Sequence, residues 1–166
     1  MEKLAGHVRS EVLPDRPRRD IYLCSSESIE SLVQEIVPPS PHFGLLLAVD
    51  ARPLDADRIG YLAEDLVGKG LAYLCAWGPD CERVHDIFDE IIVEMDPEQN
   101  KGVILTTWHS KERLDEALWF FINSAFPNEA YEGTCHAWIV ASIGCPEWEQ
   151  TARGAFNKTD RLDPTL

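Results

Sequence analysis

The chain has 166 residues, 45% of them hydrophobic, enough to bury the core of one domain without disulfide or metal staples. Its 29 acidic residues against 15 Lys and Arg give a formal net charge of −14, so its surface field repels phosphate backbones and anionic lipid headgroups. That balance argues against nucleic acid and membrane surfaces as partners and favours another protein, a basic one above all.

The first 19 residues mix Lys3, Arg9, Arg16, Arg18 and Arg19 with acids and prolines and contain no apolar block of the signal-peptide kind. They read as a flexible lead to a single α/β domain over residues 20–150, with residues 151–166 as a tail that frays beyond about Arg153. No stretch approaches the roughly 18 apolar residues that a bilayer span requires. Cys24, Cys75, Cys81, Cys135 and Cys145 are odd in number, form no CxxC pair and lie partly in apolar runs. They are read as reduced thiols, which places the chain in the cytoplasm.

Ile21-Tyr22-Leu23-Cys24 reads as a short strand, and Ser25-Ser26 offers hydroxyl caps for a helix that buries Ile29, Leu32, Val33, Ile36 and Val37. Pro38-Pro39-Ser40-Pro41 stops that helix, because proline cannot continue it. Residues 43–49, FGLLLAV, form a continuous apolar run of the kind expected of a strand covered on both faces. A helix over about 55–68, a strand over 71–77 and a helix over about 81–95 follow. Residues 102–107 read as a strand, Ser110 as the cap of a helix carrying Leu114, Ala117, Leu118, Phe121 and Ile122, and residues 135–142 as the last strand. Strand and helix alternate through short connections, which predicts a three-layer α/β/α sandwich around a doubly wound, mostly parallel sheet of four to five strands.

Ligands of such sheets bind at the carboxyl ends of the strands. Four of these ends fall at Asp50-Ala51-Arg52, Trp77-Gly78-Pro79-Asp80-Cys81, Thr106-Thr107-Trp108-His109-Ser110 and Ser142-Ile143-Gly144-Cys145. Cys81 falls in the first turn of a helix, where free N–H groups and the helix dipole stabilise a thiolate. A nucleophilic Cys81 served by His109 or His85, with Asp50 or Asp80 orienting the base, is one chemistry these residues allow. The plainer reading has Asp80 capping the helix and Cys81 packing inside it. Cys81 and His85 are a single pair at helical spacing without a partner pair, so no metal is expected. The glycine-rich phosphate cradles are missing, and the acid and lysine pattern of a phosphorelay receiver is missing too, so no cofactor is expected. Trp77, Trp108, Trp119 and Trp138 read as core fillers rather than stacking platforms, and His136 as a hydrogen-bonded core residue.

The segments Ala76-Trp77-Gly78-Pro79-Asp80-Cys81 and Thr106-Thr107-Trp108-His109, the latter followed by residues 114–120, resemble the signature of a small bacterial domain family of unknown function. There an AWG-x-DC segment and a TTWH segment follow successive strands. The resemblance covers roughly residues 43–145 and implies that Trp77, Asp80, Cys81, Thr107, Trp108 and His109 belong to the family's sheet edge. The helix after Cys81 departs from that family's pattern.

These observations favour a non-catalytic protein-binding or regulatory module of the immunity or antagonist kind, which meets a basic partner through Trp77, Asp80, Thr107, Trp108 and His109 at the carboxyl edge of the sheet. The alternative is a small hydrolase or transferase built on Cys81 and His109 with Asp80 or Asp50. Trp119, Phe120, Trp148 and Phe156 are a candidate homodimer face.

Overall fold

In a computed structural model that describes residues 1–159, the chain forms an α/β fold with a six-stranded, mostly parallel sheet and five α-helices. The strands are β1 (Glu2–Val8), β2 (Arg19–Ser26), β3 (His42–Ala48), β4 (Leu71–Trp77), β5 (Leu105–His109) and β6 (Cys135–Ile143). The helices are α1 (Ile29–Glu35), α2 (Ala56–Gly68), α3 (Cys81–Met95), α4 (Leu114–Asn123) and α5 (Pro146–Thr159). The sheet order is β1-β2-β6-β3-β4-β5, and only β1 runs antiparallel to its neighbour.

The sheet holds six strands rather than four or five because Glu2–Val8, in the segment read as a lead, pairs with β2. Its sequence hides this. The register breaks twice, His7 takes a left-handed φ of 56°, and the strand is fastened by polar contacts, with Lys3 on Asp20 at 2.9 Å and the His7 amide on the same carboxylate. Residues read as the start of the tail belong to α5, which buries Ala152 and Phe156, while residues 160–166 of that expected tail lie outside the described residues.

The continuous apolar runs arise because alternate side chains of one strand enter different cores. Leu45 and Leu47 of β3 pack in a cluster with Leu32, Leu62, Leu66, Val84 and Phe88 from α1, α2 and α3. Leu46 and Ala48 pack in a second cluster with Leu118 and Phe121 of α4 and Ala152 and Phe156 of α5. Trp138 of β6 fills the centre of this second cluster at 0% exposure, lying where a Cβ on Gly44 of the neighbouring strand would come within 2.4 Å of its ring.

Several element ends differ from expectation. Helix α1 is capped by Ser28, whose hydroxyl accepts from the Ser31 amide, and it stops at Glu35, which leaves Val37 exposed. Strand β5 starts at Leu105 and runs on through Trp108 and His109, and α4 starts after Arg113 rather than Ser110, with the Arg113 amide donating to Glu116. His136 is exposed rather than buried. Of the four tryptophans read as core fillers only Trp138 is fully buried, with Trp77 half-buried and Trp108 and Trp119 exposed. Within the expected dimer face, Phe156 is buried and Trp148 and Phe120 are half-buried, so Trp119 alone stays exposed.

Arg19 opens β2 and is itself buried. It donates to the carbonyls of Phe121, Ile122 and Ala125 at the end of α4, whose last C=O groups have no partner within the helix. Its guanidinium lies 4.5 Å from the Phe126 ring centre and 4.4 Å from that of Trp138. An Arg19→Met variant keeps the volume and strands those carbonyls, so chemical denaturation should show a loss of about 3 kcal/mol with an unchanged denaturant slope.

Candidate functional site

All five parallel strands end on one rim, so the Trp77 and Trp108 turns lie side by side, with Trp77 paired to His109 across β4 and β5. Their side chains nonetheless divide between the two faces of the sheet. Trp77 donates its indole N–H to the Glu112 carbonyl at 2.9 Å and meets Trp148 of α5 edge-on, while Trp108 lies on His85 of α3.

His109 is buried and held at both nitrogens. Nδ1 is 2.8 Å from a Glu112 oxygen, Nε2 is 3.0 Å from the Thr107 hydroxyl, and the ring rests on Phe120. A hydroxyl, an imidazole and a carboxylate in sequence are the order that general-base catalysis uses. Here, however, the half-buried Thr107 hydroxyl also bonds Tyr73 and Cys75, which ties it to the second core. A parallel set lies across the strand, where the Thr106 hydroxyl meets His85 Nε2 at 3.0 Å and donates to Asp89 at 2.6 Å, and His85 Nδ1 meets Asp86 at 3.0 Å. The two sets clamp both faces of an edge strand.

Cys81 is 1% exposed, and its sulfur meets the backbone of His109, not the ring. Burial pushes its thiol up, more strongly than the hydrogen bonds from backbone groups pull it down, so it stays protonated at neutral pH. Asp80 sits at the start of α3 with a left-handed φ of 64° and makes no side-chain cap. Its carboxylate takes Arg83 at 2.7 Å, and Arg83 reaches on to the carbonyls of Ala51 and Leu54, filling the space between the two loops. Gly78 allows that close approach with its φ of 116°, since a Cβ there would come within 2.2 Å of the Val49 oxygen. Asp50 forms a two-point pair with Arg52 at the rim. Asp50, Asp80, Cys81, Thr107 and His109 thus share a rim, and none of them lines its open cleft.

A pocket of this rim lies at the ends of β2 and β6. It is an open cleft of about 670 Å³ lined by Ser25, Ser26, Glu27, Ser31, Glu35, Ser142, Gly144, Cys145, Pro146 and Glu149. Its place follows from the winding. After β2 the chain enters α1, which packs in the first core, and after the adjacent β6 it enters α5, which packs in the second, so the two exits part and leave a crevice. The lining carries four serines and three glutamates and no Lys or Arg. Ser26 donates to Glu35 at 2.7 Å. Glu149 is held below the usual carboxylate range first by Arg153 and then by the Ser25 hydroxyl, whereas Glu27 is exposed with no ion pair among the described residues. Of this cleft the sequence signalled only the Ser142–Cys145 strand end. Ser25 and Ser26 read as caps, and nothing in the order of elements revealed that β6 inserts next to β2.

Among the described residues no group of three or more His, Cys, Asp or Glu side chains is arranged to hold a metal ion, and no helix is long and apolar enough to cross a membrane. The family described as Domain of unknown function (DUF7684) matches residues 21–158. The chain belongs to this family. The DUF7684 match starts in β2, omits β1 and takes in the cleft and nearly all of α5. No curated protein and no solved structure matches the chain.

The five thiols separate sharply. Cys24, Cys75, Cys81 and Cys135 are buried, with Cys75 and Cys135 pushed up to about 12 by desolvation, while Cys145 is half-buried at the cleft. An aromatic disulfide reagent at neutral pH should titrate Cys145 promptly and the other four only after denaturation. Prompt loss of Cys81 in a Cys145→Ser variant would contradict this packing.

Proposed function

We propose that the chain is a non-catalytic protein-binding module of the regulatory, antagonist kind, which acts in the reducing cytoplasm and takes a basic segment of its partner into the cleft between β2 and β6. The observation that carries this reading is the lining of the cleft: hydroxyls and carboxylates with no basic side chain, on a chain of net charge −14. Glu27 and Glu35 have no cationic partner among the described residues, so an incoming Lys or Arg finds unneutralised carboxylates with serine hydroxyls beside them. The two cores, one holding α1 to α3 and the other α4 and α5, support a sheet sandwiched in three layers, which makes this rim a rigid edge for docking. Trp77, Asp80, Thr107, Trp108 and His109 lie on the same rim, with Trp108 the exposed aromatic of that turn. The alternative Cys81 and His109 hydrolase gains no support from a buried, protonated thiol and an imidazole held at both nitrogens.

Calorimetric titration with an Arg- and Lys-rich peptide should show one site whose affinity falls steeply with added salt. A Glu27→Gln/Glu35→Gln double variant should bind at least about tenfold more weakly with an unchanged melting temperature, since both side chains are exposed. Equal affinity of the double variant and the parent would remove the cleft from the reading.

A further inference from the structure

A second cavity, of about 190 Å³, lies at the opposite rim, where β3 and β4 begin and where α2 and α3 end. Leu71, Ile92, Met95 and Ile104 give it an aliphatic part, Asp96, Gln99 and Lys101 a polar one, and one side is formed by His42 and Tyr131, whose rings are tilted on each other with centres 4.5 Å apart. A cavity of about 150 Å³ accepts benzene, so this one has room for a single aromatic ring with a short substituent.

The polar chemistry of the wall selects among such molecules. The Thr134 hydroxyl has one hydrogen to give and two acceptors in reach, the Tyr131 carbonyl at 3.3 Å and His42 Nδ1 at 2.7 Å. The tautomer of His42 follows that choice: Nε2 is a bare acceptor when Nδ1 carries the hydrogen and a donor when it does not. In both tautomers Nε2 has no protein partner among the described residues. Partial burial lowers the pKa of His42, which keeps the ring neutral around pH 7. The Tyr131 hydroxyl donates to the Gly102 carbonyl and is taken, and both oxygens of Asp96 accept backbone amides, from Asn100 and Lys101.

We propose that this cavity is a binding site for a small phenol: one aromatic ring among the aliphatic side chains, with its hydroxyl, which can donate or accept, paired with His42 Nε2. A hydrocarbon of the same shape fills the space but leaves Nε2 unmet. A carboxylate, which only accepts, must shed its hydration to enter and meets the Asp96 charge as well as the Lys101 ammonium of the lining.

Three para-substituted or parent toluenes test this on the full chain by amide chemical-shift titration: p-cresol, toluene and p-toluate. The p-cresol probe should saturate one site and shift the amides around Leu71, Ile104 and Tyr131, with an affinity about fivefold above that of toluene, the worth of one hydrogen bond. The p-toluate probe should bind more weakly than p-cresol. A His42→Phe variant should bring p-cresol and toluene to equal affinity. A Val103→Trp variant, placed at an exposed rim position of the cavity, should abolish binding of all three while the spectrum stays folded. Binding of p-cresol no tighter than toluene, tightest binding by p-toluate, or shifts that persist in Val103→Trp would each overturn the proposal, as would the absence of any saturable shift. The Glu27→Gln/Glu35→Gln variant should bind p-cresol as the parent does, so the two sites stand or fall separately.

Discussion

Strand β6 must hydrogen-bond to β2 on one side and β3 on the other, although nearly the whole domain separates it from β2 in the chain. Until it does, β2 and β3 each present an open ladder, and neither core has its centre, because Trp138 and Val140 enter one and Ile139 and Ala141 the other. Gly44 belongs to the same constraint, since the Trp138 ring occupies the space of its missing side chain. The cleft follows from the same insertion: only because β6 lies beside β2 do Ser142 and Glu149 face Ser25, Ser26 and Glu35.

The middle of the fold was legible in the sequence. Residues 43–49 and 71–77 are apolar without alternation because both faces of their strands are covered, and Asp55 before a 3.6-residue pattern marked the start of α2, where its carboxylate does accept the Arg58 amide. The two ends were not legible. Strand β1 contributes mainly Ala5 and Val8 to a core and is otherwise fastened by Asp20, and α5 buries few residues on a polar background, so neither carries enough apolar periodicity to stand out. The TTWH segment read as the end of a strand and the loop beyond it, whereas the strand continues because both of its faces are clamped, by His85 and Asp89 on one side and by His109 with Glu112 on the other.

The candidate site was legible as a rim and not as a pocket. Residue types at strand ends can be read along the chain, but which ends become neighbours depends on sheet order, and it is the jump of β6 to the other side of β3 that opens a crevice where serines read as helix caps meet glutamates that carried no signal. At the turns that did stand out, arginines close the space: Arg83 spans the loops after β3 and β4, and Arg52 covers Asp50.

Arg19 plugs the end of α4 from a position just ahead of the stretch that the family match covers, which starts at residue 21. The matched stretch and the folded unit of this chain therefore differ in extent. A polypeptide trimmed to the matched stretch would forfeit the plug, the outermost strand and the first two residues of its neighbour, and would expose the edge of β2 to pairing with other chains.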